Sequence, residues 1–221
     1  MARCCNPHGC DELFGERVAR RDARRYRRKG LDKTAREMVD FLLERGVEGA
    51  TVLEIGGGIG SIQLELLRAG AARAINLELT GAYDGPAAEL ARDAGVSDRI
   101  ERRVVDLAVE PSEVGVADVV VLHRVVCCYP NAQQLIRESA AHARRTLMLS
   151  YPPRAWWTRT FAAVLNAAMR VRRRQYRSYI HPPRAFLAEA EARGLRHAFA
   201  ARRWPWRITA LERDPGVASV V

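Results

Sequence analysis

Val52-Leu53-Glu54-Ile55-Gly56-Gly57-Gly58-Ile59-Gly60 is the stretch on which the fold turns. An apolar run, Thr51 to Ile55, ends in glycines, and Ser61 to Ala69 follows with Ile62, Leu64, Leu66 and Leu67 in a helical stretch. Strand, glycine turn and helix in this order open a βαβ unit. Glycines let the backbone turn sharply and approach a ligand that a β-carbon would exclude. The helix N-terminus behind them presents unpaired N–H groups. Gly56, Gly58 and Gly60 space as G-x-G-x-G, and Ser61 stands where the dinucleotide pattern needs glycine or alanine, which disfavours pyrophosphate.

The alternation continues downstream. Ala74–Leu77, Ile100–Val105, Asp118–Leu122 and Thr146–Ser150 read as strands; Ala87–Ala94 and Ala132–Arg144 read as helices. Continuous apolar strands between helices predict an α/β fold with a doubly wound parallel sheet covered on both faces. Upstream, 11–29 and 32–45 read as two helices broken at Gly30, with Asp32 capping the second. Downstream, Tyr151-Pro152-Pro153 stops a strand and 156–174 reads as a long amphipathic helix. That helix has an apolar face of Trp157, Phe161, Val164, Leu165, Ala168 and Met169. A further helix opens after Ile180-His181-Pro182-Pro183, and 196–201 with 207–211 form a closing hairpin around Trp204-Pro205-Trp206. Three regions follow: an arm and helices over 1–47, the main domain over 48–212 with an insert at about 154–180, and a tail over 213–221.

Two acids lie in register with the glycine turn. Glu78 falls 22 residues after Gly56, where a carboxylate accepts from both ribose hydroxyls. Asp106 follows the third strand, where an acid can accept from an adenine amino group. With Glu54, three acids and the glycines converge on the carboxyl edge of the sheet, where open α/β sheets bind ligands.

These residues together resemble class I methyltransferases that use S-adenosyl-L-methionine. The resemblance covers roughly 48–150 and recurs in the closing hairpin. It implies a Rossmann-like sheet of about seven strands with the last antiparallel. It also implies a cofactor set of Glu54, Gly56, Gly57, Gly58, Gly60, Glu78 with Leu79, Asp106 with Leu107, and His123. The loop would take the methionyl end, Glu78 the ribose and Asp106 the adenine.

Methyl transfer from a sulfonium asks mainly for alignment. An alcohol acceptor also needs a base; a carboxylate is already ionised and needs positioning, often by arginine. Candidate groups lie in His123-Arg124-Val125-Val126-Cys127-Cys128-Tyr129-Pro130. His123 is a candidate base or a satisfied histidine, Tyr129 a candidate wall, and His181 a substrate contact or a helix-start packing residue. No Asn-Pro-Pro-Tyr or Asp-Pro-Pro-Tyr tetrad occurs there, so amino-group methylation of adenine or glutamine is not suggested.

A narrower resemblance rests on Arg24-Arg25-Tyr26, Tyr129-Pro130, Thr146 to Arg154 and Tyr179-Ile180-His181. These look like segments of magnesium-protoporphyrin O-methyltransferases, in the same order over most of 11–212. That resemblance implies Tyr26 on an arm over the active site and an amphipathic insert near the substrate. Cys128 stands where that family carries histidine before Tyr-Pro.

The chain has 221 residues, 48% hydrophobic and 28% charged, with a net charge of +10. Its 36 basic residues include only two lysines, Lys29 and Lys33. Residues 1–30 carry nine basic and four acidic side chains, and 151–221 carry 14 and four, whereas 31–150 carry 13 and 18. Codon preference acts on all segments alike, so it does not explain an acidic middle between basic flanks. Solvated helix faces are one reading; a roof that draws in a small anionic acceptor is another. A peripheral membrane contact through 156–174 and RNA binding by the arginine-rich flanks, as a binding protein or a methyltransferase, are the alternatives. Nucleic acid is the weaker, because no RNA-binding module accompanies the core.

No apolar run reaches ~18 residues and no secretory pattern opens the chain, which predicts a cytoplasmic location. Five cysteines then imply a reducing compartment rather than disulfides. Cys4-Cys5-Asn6-Pro7-His8-Gly9-Cys10 lacks zinc-knuckle spacing, and the reading assigns no metal. In extended backbone Cys127 and Cys128 would point to opposite sides.

Overall fold

The computed structural model describes residues 9–214. Apolar runs buried on both faces become the central strands: β1 (Thr51–Ile55), β2 (Arg73–Glu78), β4 (Ala117–His123) and β5 (Ala143–Tyr151). With β3 (Ile100–Val104), β6 (Leu195–Arg203) and β7 (Trp206–Arg213) they form one sheet of order β3-β2-β1-β4-β5-β7-β6. β1 to β5 pair in parallel, and β7 is antiparallel to both β5 and β6. This is the doubly wound sheet with its last strand reversed that the sequence and its resemblance lead one to expect. Order reverses between β1 and β4, and that is where a crevice opens at the carboxyl edge.

Helices cover both faces. On one lie α2 (Glu16–Lys29), α3 (Lys33–Glu44), α4 (Ser61–Arg68) and α5 (Asp84–Asp93), which bury Met38, Leu42, Ile62 and Leu66 against Val52, Val119 and Met148. On the other lie α6 (Ala132–His142) and α8 (Pro183–Ala192), which bury Ile136 and Phe186 against Leu53, Val120 and Leu147. The Asp32 carboxylate caps α3 by accepting from the amides of Thr34 and Ala35 at 2.9 and 3.1 Å.

Two expectations are corrected. The helix expected over 11–29 is interrupted: α1 (Cys10–Leu13) stops before Gly15, which is extended (φ −76°, ψ 176°). The kink lets Phe14 meet the Tyr176 ring edge-on at 5.7 Å. The second concerns α7 (Trp156–Val171), which ends three residues earlier than the expected 156–174. Thr158 and Ala162 are buried, while Phe161 and Val164 are exposed. Polar anchors hold the helix in place. The Asn166 amide donates to the Ser178 carbonyl and accepts from its N–H, both at 2.8 Å, and Thr158 Oγ1 donates to the Pro153 carbonyl at 2.6 Å.

Candidate active site

The glycine turn is shaped by what surrounds it. Gly56 has φ +61°, and a β-carbon there would stand 2.6 Å from Val125 Cγ2. At Gly57 a β-carbon would meet Asn76 Nδ2 at 2.3 Å and Glu54 Cδ at 2.7 Å. Neither position can carry a side chain without moving its neighbours. The loop therefore lies close over Glu54, whose carboxylate accepts from the Gln63 amide in the first turn of α4 at 3.2 Å. Burial pushes Glu54 up to about 8, and the nearby Glu78 charge adds to the shift. Glu54 is thus a support beneath the loop, away from the cavity wall.

Glu78, at the end of β2, accepts from the Gly58 N–H and joins the loop to the neighbouring strand. Burial raises it to about 7, with the Gly58 amide and Arg102 opposing the rise. Arg102 donates to Asp84 through Nε at 3.1 Å.

These groups border an open cavity of about 180 Å³ at the switch point. Gly56, Gly58, Glu78, Leu79, Asp106 and Leu107 all line it. Gly57 and Gly60 shape the turn without lining it. Thr80 and Tyr83 complete the wall, and local spacing gave no signal for either.

Tyr129 also lines the cavity, with its hydroxyl donating to Asp106 Oδ1 and Oδ2 at 3.1 and 3.0 Å. Burial, together with the Asp106 charge, raises its phenol well above the ordinary value. Tyr129 is a donor here, not a base.

His123 closes β4 and lines the cavity, but both ring nitrogens face protein. Nδ1 is 2.9 Å from Ser150 Oγ, which itself accepts from the Arg124 amide at 3.0 Å. Nε2 lies 3.7 Å from Asp32 Oδ2, too long for a hydrogen bond. Burial lowers the imidazole pKa, opposed in part by Asp32, so the ring is neutral at pH 7. Asp32 also pairs with Arg124 Nη2 at 3.0 Å. Although burial works against it, contact with His123 and Arg124 holds this carboxyl far below its ordinary value.

Arg124 has φ +63°, a conformation most non-glycine residues avoid and one that collects at functional positions. Its guanidinium lies 5.0 Å from the centroid of the Trp206 ring. The sequence named Asp32 only as a helix cap; that it meets His123 and Arg124, and that Arg124 lies over Trp206, depends on contacts across the whole chain.

The mouth carries Cys10, Phe14 and Cys128. Cys127 and Cys128 sit in a turn closed by the Cys128 amide on the Val125 carbonyl, and their sulfurs are 3.7 Å apart. The turn overturns the expectation that they diverge. The contact with Cys128 and burial raise the Cys127 thiol, while the contacts with Cys127 and with the Tyr176 hydroxyl, 3.2 Å away, lower Cys128. Cys4, Cys5 and His8 lie outside the described residues.

Two candidates stand apart. Tyr26 is packed under α4, its hydroxyl donating to Glu65 at 2.5 Å and accepting from Arg68 at 3.1 Å. It does not line the cavity, so the expectation of a tyrosine over the site is not met. His181 does not line it either; its Nε2 is 2.9 Å from the Tyr129 carbonyl and its ring stacks on Tyr179 at 5.5 Å.

No protein-family model matches this sequence, and no curated protein matches it. Solved structures do. Magnesium protoporphyrin IX methyltransferase from Synechocystis PCC 6803, with bound S-adenosylhomocysteine, superposes with TM-score 0.67 at 23% identity over 82% of each chain. An O-methyltransferase family protein from Burkholderia thailandensis gives TM-score 0.66 at 19% identity, over 92% of this chain and 64% of its own. The cyclase SpnF also shares the scaffold, with TM-score 0.59 at 14% identity over 80% of each chain. The likeness is one of fold, the class I methyltransferase fold, and a fold can host more than one chemistry.

Proposed function

We propose that this chain is an S-adenosylmethionine-dependent methyltransferase that acts on a small, anionic acceptor and methylates an oxygen, a carboxylate or a hydroxyl. The observation that carries the reading is the convergence of the glycine turn, Glu78 and Asp106 around one cavity at the switch point. The residues fit the cofactor: Gly56 and Gly58 allow close approach of its methionyl end, Glu78 offers acceptors to the ribose, and Asp106 between Leu79 and Leu107 suits an adenine edge. When bound, the cofactor supplies an electrophilic methyl group.

A carboxylate is the simpler acceptor, because the wall offers little to remove a proton. Tyr129 is committed to Asp106, and neutral His123 stands between Ser150 and Asp32. Arg124 lines the wall; its Nη2 is paired with Asp32, while its buried Nε has no hydrogen-bond partner among the described residues and leaves a donor for an anion. The chain's own work is then to bind, orient and exclude water.

Calorimetry with S-adenosylhomocysteine tests the cofactor assignment; absence of binding to the wild type overturns it. Transfer of labelled methyl to carboxylate but not alcohol acceptors tests the finer reading. SpnF favours a second reading, in which the same cavity serves a reaction other than methyl transfer. Binding of S-adenosylhomocysteine without transfer to any acceptor would favour it.

A further inference from the structure

The two basic flanks differ in the structure. In α2, Arg20 pairs with Glu16 at 2.5 Å and Arg27 with Asp93 at 2.8 Å, so part of that charge is answered within the chain. At and beyond α7, Arg159, Arg170, Arg172, Arg173 and Arg174 are exposed, and none has a carboxylate within ion-pair distance among the described residues. No helix there is long and apolar enough to cross a membrane.

The same region collects apolar surface. Five of the nine large apolar side chains exposed among the described residues are Trp156, Phe161, Val164 and Val171 on α7 and Trp204 on the adjoining turn. Trp156 and Trp204 are 79% and 85% exposed. Trp156, Val164 and Val171, spaced by eight and seven, share one helix face, opposite the buried Thr158 and Ala162. Trp157 stacks on Trp204 at 6.1 Å, so the turn and the helix start form one surface. A patch of this kind marks an interaction site.

We propose that this surface is a docking face for an anionic phospholipid bilayer. α7 would lie in the interfacial plane, with Trp156, Phe161 and Trp204 at the acyl boundary and the arginines on lipid phosphates. Charge complementarity selects this occupant. A second copy docked by a two-fold axis would oppose like arginine clusters. A nucleic acid would answer the arginines but not the aliphatic Val164 and Val171. The 16 residues of α7 rise about 24 Å, too short to span and suited to lying flat. A cleft of about 450 Å³ opens beside this face, lined by Trp157, Trp204 and Trp206. Through Trp206 and Arg124 the docking face adjoins the cavity wall. The docking itself does not depend on the methyltransferase reading.

All four tryptophans, Trp156, Trp157, Trp204 and Trp206, lie at or beside this surface, so intrinsic fluorescence of the ligand-free chain reports on it. The full chain is mixed with phosphatidylcholine vesicles, with or without about one-third phosphatidylglycerol. Roughly tenfold preferential co-sedimentation with the anionic vesicles, a blue shift of emission and weakening by salt are expected. Val164→Asp with Phe161→Asp should lower binding by roughly tenfold or more while keeping the wild-type melting temperature. Should that variant fail to fold, Val171→Asp at the helix end serves instead and should weaken binding in the same direction. Equal partition to both vesicles, or a folded variant that binds like wild type, overturns the proposal. So does a dimer that Val164→Asp dissolves with no vesicle binding, or tighter binding to single-stranded RNA than to anionic vesicles.

Discussion

The hydroxyl of Tyr129 donates to both carboxylate oxygens of Asp106, at 3.1 and 3.0 Å, and so ties the segment after β4 to the segment after β3 across the cavity. A charge-assisted bond of this kind contributes about 1.5–3 kcal/mol to the groups it orders. Tyr129→Phe should raise the dissociation constant for S-adenosylhomocysteine by roughly three- to tenfold, since Asp106 loses its orientation. Calorimetry measures this directly; unchanged affinity would separate Asp106 from the adenine.

Glu78→Ala should cost at least roughly tenfold in the same affinity, because it removes the ribose acceptors and the anchor of the Gly58 amide. Gly57→Ala should destabilise the protein by about 1–3 kcal/mol, read by thermal melting, since a β-carbon meets both Asn76 and Glu54.

Stability should fall as pH rises through the upper carboxylates. Glu54 and Glu78 are raised in the folded state, to about 8 and about 7, from an ordinary value of 4.5. Their neutral forms favour folding, so the contribution is full below 4.5 and is lost as pH climbs toward 8. Glu54→Gln should match wild type near pH 4.5 and exceed it by about 4 kcal/mol near pH 8.5. Denaturation across that range decides; a constant offset would mean that titration is not the cause.

Asp32 has the opposite sign. Its folded pKa is depressed below 3.8, so its contribution is present above 3.8 and is lost as pH falls through that region and below. Asp32→Asn keeps a helix cap but surrenders the contacts with Arg124 and His123, and should flatten the acid limb of the stability curve. Asp32→Ala, which also loses the cap, should cost about 1–2 kcal/mol more.

Tyr26→Phe should lower stability by about 1 kcal/mol through its bonds to Glu65 and Arg68, yet leave S-adenosylhomocysteine affinity as it was. A large loss of affinity or turnover would return this tyrosine to the active site.

What could be read from sequence was what local spacing encodes. Gly56 to Gly60, Glu78 and Asp106 follow strand ends at fixed distances, so a strand–turn–helix pattern sufficed to bring them to one edge. Tyr26 was misplaced because a tyrosine on a basic helix carries no mark of the Glu65 waiting 39 positions on. Which side of α7 packs inward was not legible for a related reason: apolar periodicity marks a face with Phe161 and Val164, but nothing local marks Asn166, which is fixed by a backbone segment 12 residues later. Asp32, Arg124 and Trp206 were legible as cap, loop and turn, but not as neighbours.

Arg124 touches Asp32 ahead of the first strand and Trp206 at the start of the last. One wall of the cavity is therefore a joint between the two ends of the chain. During synthesis the glycine turn and Glu78 can assemble early, from neighbouring strands. The arginine cannot be seated until β7 has emerged and threaded between β5 and β6. A chain lacking β7 would keep every residue that lines the cavity but would leave the Arg124 guanidinium without the Trp206 ring beneath it.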